Sequence, residues 1–242
     1  MSVVPEPAPL RNPGRAAAFL AFNAGFIDTV GFVGLFGLFT AHVTGNFVLI
    51  GASIVTHNSG VVAKLLALPT FILAVAVTSL LLRRGRNNRR LAIGYLLFFQ
   101  IVLLMAFMAV GVLGGPFKGG DQPIAVVCGL VGVVAMGLQN AGSRTLFSQL
   151  SPTTVMTGNV TQIVIDLVAL TDRAQPDPAA RARIGKMFPP VLAFALGAVA
   201  GGLGFVYLGF WCVLIGVTAV LATLFSLVPL QLAKPGQAPR HG

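Results

Sequence analysis

One pattern occurs twice in this chain and constrains its fold more than any other feature. The first copy of Thr-x-x-x-Thr-Gly-Asn covers residues 40–46, and the second covers residues 153–159. A short apolar segment follows each copy. Upstream, residues 25–28 align with residues 137–140 after a one-residue gap. Self-similarity at about half of the chain length indicates that one unit has been duplicated.

The composition is that of an integral membrane protein. Apolar residues make up 56% of the chain and charged residues 9%, whereas soluble domains carry roughly 25% charged residues. The apolar residues form long runs, which are typical of membrane-spanning helices. The net charge of +10 comes from basic residues in short loops between these runs. Because no aromatic residues are interleaved with them, we predict a lipid bilayer as partner and no nucleic acid.

Two classes of apolar segment can be separated by length. The segments long enough to span are residues 16–38, 65–82, 91–113, 124–146, 188–207 and 210–229. The segments that follow the repeated motif, residues 44–56 and 157–170, are shorter. About a dozen helical residues reach roughly 18–20 Å, against a hydrocarbon core of about 30 Å. The short segments are therefore too short to cross.

Two topologies compete for these segments. If all eight cross, six Lys and Arg residues lie in the cytoplasm and ten outside. If the short segments dip into the membrane and return, fourteen lie in the cytoplasm and only Lys64 and Lys118 lie outside. The positive-inside rule favours the second arrangement. It predicts an all-α polytopic membrane protein with two inverted three-helix repeats, each carrying a re-entrant half-helix that opens on Thr-Gly-Asn.

The same topology divides the chain into parts and places both termini in the cytoplasm. The predicted parts are a disordered tail (1–14), repeat 1 (15–113), an external turn (114–122), repeat 2 (123–230) and a cytoplasmic tail (231–242). Gly197 and Gly201 have the small-xxx-small spacing that lets helices approach closely. That spacing serves packing within one copy, and it also allows a homo-oligomer.

The repeated turns are the candidate substrate-binding site. Its residues are Thr44, Gly45 and Asn46 in the first copy and Thr157, Gly158 and Asn159 in the second. Both Thr residues suit helix N-caps, and both Asn residues offer donors and an acceptor. Two helix N-termini converging near the bilayer midplane would suit an anion or a neutral polar solute. Alternatively, the two turns cap each other and seal a packed interface.

Polar residues within the long segments are further candidates. Asp28 lies about halfway along the first span, and Asn140 is its counterpart in the second half. A carboxylate at membrane depth is costly, so Asp28 is a coupling group or a hydrogen-bonded structural residue. Asp166 is either a second relay group or lies near the cytoplasmic interface. Gln139 is a candidate lining residue.

Enzymatic chemistry has little support in this sequence. It contains no HExxH, no paired CxxC, no P-loop and no GxSxG with a suitable His partner. The three histidines are scattered and the two cysteines are far apart, whereas a metal site needs a cluster of such ligands. We predict no catalytic residues, no metal and no cofactor.

Four stretches of the chain resemble a known family. Residues 25–28, 37–46, 136–141 and 153–159 resemble the YoaK-type family of bacterial inner-membrane proteins, a domain-of-unknown-function family. The resemblance covers nearly the whole chain between the tails. It implies a membrane protein of about six helices in the bacterial inner membrane, and it implies no substrate or reaction.

The residues themselves lead to two functional hypotheses. The first is a channel or secondary transporter that moves a small polar or anionic solute through a midplane site built from the paired turns. The second is a non-transporting scaffold or regulatory protein in which the turns are structural.

Overall fold

The chain folds into helices throughout its described part. The computed structural model describes residues 11–56, 59–84, 88–154, 156–172 and 177–227. Residues 1–10 of the first predicted tail and the whole of the second therefore lie outside the described residues. The α-helices are α1 (Pro13–Gly34), α2 (Gly45–Thr56), α3 (Val61–Arg84), α4 (Arg89–Gly114), α5 (Pro123–Thr145), α6 (Met156–Ala169), α7 (Ala180–Leu208) and α8 (Val213–Leu227), with a 3₁₀ turn at Gly209–Cys212.

Within the described ranges, five helical segments are long and apolar enough to cross a membrane. Four of them are α1, α3, α4 and α5, and the fifth is Ala180–Leu227, which joins α7, the 3₁₀ turn and α8. The sequence predicts six full spans and separates the last two near residue 209. The 3₁₀ turn does interrupt the helix there, but α8 has only 15 described residues. The short helices α2 and α6 match the two short segments predicted from the sequence.

The ends of two helices differ from the sequence prediction. Helix α1 ends at Gly34, not at residue 38, because Phe36 and Gly37 adopt positive φ angles of 56° and 80°. The Gly37 N–H then donates to the Phe32 carbonyl at 2.9 Å, which closes the helix end. Helix α6 begins at Met156. Thr157 therefore lies inside its first turn, and its predicted role as an N-cap is wrong.

The long helices pack in two equivalent groups. Helix α1 packs against α7 and α8, and its repeat counterpart α5 packs against α3 and α4. Contacts between α4 and α8 join the two groups. The core between them contains fully buried side chains such as Leu20, Phe26, Phe107 and Met136. The short helices lie at the periphery, with α2 against α3 and α6 against α7.

Glycines bring α1 and α7 into close contact. A Cβ atom at Gly197 or Gly201 would overlap the backbone carbonyls of Phe22 and Phe26, and one at Gly25 would overlap the carbonyl of Phe194. Small residues therefore let the two backbones touch, as in close helix pairs within membranes. The small-xxx-small spacing on α7 thus serves packing within one copy of the chain.

Candidate functional site

The first copy of the repeated motif is held by its asparagine. The Asn46 Oδ1 accepts the N–H of Phe39, and the Asn46 Nδ2 donates to the carbonyl of Phe39, both at 2.9 Å. The side chain is 1% exposed. Asn46 thus closes the loop that precedes α2, and both ends of its amide are in use.

The second copy repeats this arrangement. The Asn159 Nδ2 donates to the Pro152 carbonyl at 2.8 Å, again to the backbone seven residues earlier. Asn159 is buried as well. In the described part of the chain, no hydrogen bond joins the two motifs, and each asparagine is bound within its own half.

Other members of the motif are more exposed than the two asparagines. Thr44, Thr157 and Gly158 are exposed, and an added Cβ at Gly158 would meet nothing within 4 Å. A Cβ at Gly45 would meet only the ring of Phe39. The predicted convergence of Thr44, Asn46, Thr157 and Asn159 on one solute is therefore not what these contacts form.

Asp28 and Asn140 each hold the loop of their own half. The Asp28 Oδ1 accepts the N–H groups of Thr40 at 2.8 Å and Ala41 at 2.7 Å. The Asn140 Nδ2 donates to the Thr154 hydroxyl at 2.8 Å. Asp28 is 4% exposed, so its carboxylate takes its hydrogen bonds from the loop rather than from bulk solvent. Asp28 and Asn140 thus both bind the loop of their own half, Asp28 as an acceptor and Asn140 as a donor.

His42 completes the environment of Asp28. Its Nδ1 lies 3.0 Å from the Asp28 Oδ2, and its side chain is 38% exposed. The imidazole ring packs edge-on against Phe194 of α7, with ring centroids 5.6 Å apart. The pair therefore links the loop of the first half to a helix of the second half.

Three buried carboxamides meet near the middle of the bundle. This carboxamide cluster consists of Asn23 on α1, Gln100 on α4 and Gln139 on α5. The Gln139 Oε1 accepts the Asn23 Nδ2 at 2.8 Å and the Gln100 Nε2 at 2.6 Å. The Gln139 Nε2 donates to the Leu20 carbonyl at 2.8 Å. All three side chains are fully buried.

Two oxygens of the carboxamide cluster remain without a hydrogen-bond partner among the described residues. They are the Asn23 Oδ1 and the Gln100 Oε1. Rotating the Asn23 or Gln100 amide by 180° would not satisfy the oxygen, because each amide nitrogen already donates to the Gln139 Oε1. Gly216 of α8 lies beside the Asn23 Oδ1, and a Cβ there would be 2.8 Å from it. Sequence reasoning selected Gln139 but missed Asn23 and Gln100, although both are polar residues within long apolar runs.

An ion-pair group connects α6 to α7. Both carboxylate oxygens of Asp166 accept from the Arg183 Nε at 3.1 Å, and the Arg183 Nη2 also lies 2.6 Å from Asp177. The Gln162 Nε2 adds a bond to Asp166 at 3.0 Å. The Arg183 guanidinium lowers the pKa of Asp177, which lies in the loop before α7. Asp166 is thus paired with a cation near the start of α7.

At the opposite end, a lysine and an aspartate tie three helices together. The Lys64 Nζ donates to the Phe36 carbonyl at 2.8 Å and to the Gly60 carbonyl at 3.3 Å. The Asp121 carboxylate accepts the N–H groups of Gly60 at 2.8 Å and Val62 at 2.9 Å. The end of α1 and the starts of α3 and α5 therefore lie side by side.

Comparison with known proteins places the chain among membrane proteins. A family model described as "Protein of unknown function (DUF1275)" matches residues 16–226. The chain is 27% identical over 152 residues to the UPF0700 transmembrane protein YoaK of Bacillus subtilis (strain 168). That match covers 62% of this chain and 65% of the relative, slightly less than two thirds of its length. No solved structure matches the chain.

Proposed function

The chain belongs to the DUF1275 family of transmembrane proteins, and we propose that it is a channel or secondary transporter for a small polar solute in the bacterial inner membrane. The proposal depends on one observation above all, the carboxamide cluster at the centre of the bundle. Unsatisfied polar atoms are costly where no water is available, and polar groups at membrane depth usually mark a solute path. The two unpartnered oxygens are therefore proposed as solute ligands.

The chemistry of the carboxamide cluster favours a neutral solute over an anion. The Asn23 Oδ1 and the Gln100 Oε1 can only accept hydrogen bonds, so their partner must be a donor. A solute rich in hydroxyl or amide N–H groups supplies such donors. An anion would instead be repelled, because the two carbonyl oxygens present the negative ends of their dipoles. Of the two solute classes expected from the sequence, we therefore propose the neutral polar one.

The contacts between helices support inverted repeats within this proposal. Gln139 of α5 bonds to Leu20 near the start of α1, whereas Gly129 lies against Leu38, just beyond the end of α1. Equivalent helices α1 and α5 thus run in opposite directions. Such an arrangement is the plan of many secondary transporters, in which the solute site lies where the two repeats meet.

Contacts around the first short helix support the proposal that it is a re-entrant segment. Phe36, just after α1, bonds to Lys64 in the first turn of α3, so the two ends are adjacent. Between them, the chain turns back to bond to Asp28, six residues before the end of α1. Six helical residues correspond to about 9 Å. We propose that both repeated motifs fix loops of this kind and so position the long helices around the carboxamide cluster.

Flux measurements with a near-isosteric variant test the transport proposal. Gln100→Met removes one bond to Gln139 together with one unpartnered oxygen, so the melting temperature should change little. Uptake of small neutral solutes into proteoliposomes should fall strongly. Thr218→Val, on an exposed position of α8, is the matched control. Unchanged flux in Gln100→Met would rule out the carboxamide cluster as the path.

A non-transporting scaffold is the second candidate function, because Asn46 and Asn159 both bind the backbone of their own loop. In that case, Asn46→Leu and Asn159→Leu lower thermal stability, and no tested solute crosses the wild-type proteoliposomes. A wild-type flux above that of empty vesicles excludes the scaffold.

Cysteine accessibility in intact cells tests the proposed topology. Pro178→Cys lies in the loop between α6 and α7, which is cytoplasmic if the short helices are re-entrant and external if they cross. The native Cys128 and Cys212 are fully buried, so an impermeant thiol reagent should not label them. Labelling of Pro178→Cys only after lysis is the expected result. Labelling in intact cells would refute the inverted repeat, and Gly119→Cys is the external control.

A further inference from the structure

We propose that two apolar grooves beside α4 hold the two acyl chains of one anionic phospholipid, with its headgroup at the arginine-rich end. This site is separate from the carboxamide cluster and does not depend on the transport proposal. The wide groove lies between α3 and α4, and the narrow groove lies between α4 and α8. They share three lining residues near the start of α4: Asn88, Leu91 and Tyr95.

The wide groove exists because α3 and α4 diverge. Both helices pack on α5 but have little direct contact with each other. The resulting cavity of about 780 Å³ has Val134 and Leu138 of α5 as its floor, and its walls include Val77 of α3 and Phe99 of α4. Its lining is almost entirely apolar.

The narrow groove completes a two-chain site. Its volume is about 650 Å³, and it is lined by Gly94 and Phe98 of α4 and by Leu224 of α8. Gly94 has no neighbour within 4 Å of an added Cβ, so the groove is open along this face of α4. Both grooves therefore run from the same polar end, at Asn88, along adjoining faces of one helix. A lipid with two chains and one headgroup has this branched shape.

The charge at the shared end selects an anionic headgroup. Arg83 and Arg84 end α3, and Arg90 lies in the first turn of α4 and lines the narrow groove. Among the described residues, none of these three arginines forms an ion pair with a carboxylate. Basic residues next to a membrane helix attract anionic lipid headgroups. A second copy of the chain, placed about a two-fold axis at this face, would bring these like charges together.

Lipid titration of the purified, delipidated protein tests the site. Phosphatidylglycerol and phosphatidylcholine with identical acyl chains are added, and bound lipid is counted by native mass spectrometry. One phosphatidylglycerol per chain should remain bound under conditions that remove phosphatidylcholine. Replacing Arg83, Arg84 and Arg90 together by Gln should weaken phosphatidylglycerol binding on the order of a hundredfold, since each basic residue contributes about fivefold.

A second variant tests the grooves without changing any charge. Val77→Trp fills the wide groove and should remove the bound lipid. The matched controls are Arg181→Gln, an exposed arginine at the start of α7, and Val199→Trp, an exposed apolar position on α7. Both controls should retain the lipid. Because the charge and groove variants are independent, misfolding of one leaves the other as a test.

Four outcomes would overturn the proposal. Equal retention of the two lipids would mean that only boundary lipid is bound. Displacement of the lipid by inorganic phosphate alone would indicate a headgroup site without chains. A dimer whose cross-links cover Val77 and Phe98 would identify a second copy as the occupant. Undiminished lipid binding in Val77→Trp would exclude the wide groove.

Discussion

The clearest quantitative prediction concerns Asp28, whose Oδ1 accepts two backbone N–H groups at 2.8 and 2.7 Å. Asp28→Leu leaves both donors buried and unpaired, and each such donor costs about 1–3 kcal/mol. The expected loss in free energy of unfolding is therefore about 2–6 kcal/mol. Asp28→Asn keeps one accepting oxygen but loses the charge and the Oδ2 that faces His42, which together cost about 1–2 kcal/mol. The second half already has an asparagine at the equivalent position, Asn140.

Thermal unfolding in detergent measures the difference between the two variants. Since about 1 kcal/mol shifts the melting temperature of a chain of this size by roughly 2–4 °C, Asp28→Leu should melt about 10 °C below wild type. Asp28→Asn should melt only a few degrees below it. Equal melting temperatures of the Leu and Asn variants would refute the structural role of Asp28. A stable Asp28→Asn variant without solute flux would instead assign a coupling role to the charge.

Three further predictions concern other contacts. Gly197→Val forces a side chain into a backbone carbonyl of α1 and should destabilise the protein by at least about 1–3 kcal/mol, whereas Gly158→Ala, with open space around it, should unfold at the wild-type temperature. Arg183→Leu should destabilise the protein at neutral pH. The arginine lowers the pKa of Asp177 in the folded protein, so its contribution is present above the unfolded-state pKa and disappears as the pH falls through the lowered value. Denaturation midpoints measured against pH should therefore converge for wild type and Arg183→Leu in acid, and a constant difference would contradict this role. Lys64→Met should lower the free energy of unfolding by about 1.5–3 kcal/mol, because two carbonyls lose a charged donor, and an unchanged urea midpoint would show that water replaces the ammonium.

Local features of the site could be predicted from the sequence. The repeated motif, the two short helices and the correspondence of Asp28 with Asn140 follow from spacing alone. In the structure, these two residues and the two motif asparagines all bind the loop of their own half. Asn46 and Asn159 bind the backbone seven residues earlier. Such contacts lie within one loop, so a repeated pattern is enough to indicate that they are equivalent.

The sequence did not predict how the asparagines are used. It suggested a shared solute site, because the sequence does not show whether an asparagine side chain is free or hydrogen-bonded within its own loop. It also placed the end of α1 four residues too late, since hydropathy continues past the turn at Phe36 and Gly37. The helix ends there because of its local backbone angles, about which hydropathy gives no information.

The sequence by itself determined that this chain is a helical membrane protein built from a duplicated unit, because long apolar runs and spaced motifs have direct physical consequences. Only the tertiary structure decided which polar residues meet. Asn23 and Gln139 are 116 positions apart, and Gln100 and Gln139 are 39 apart. Their meeting depends on the depth and rotation of three helices. Packing between helices fixes the depth and the rotation of each helix. In a helix that is apolar on every side, a single polar residue does not determine either of them.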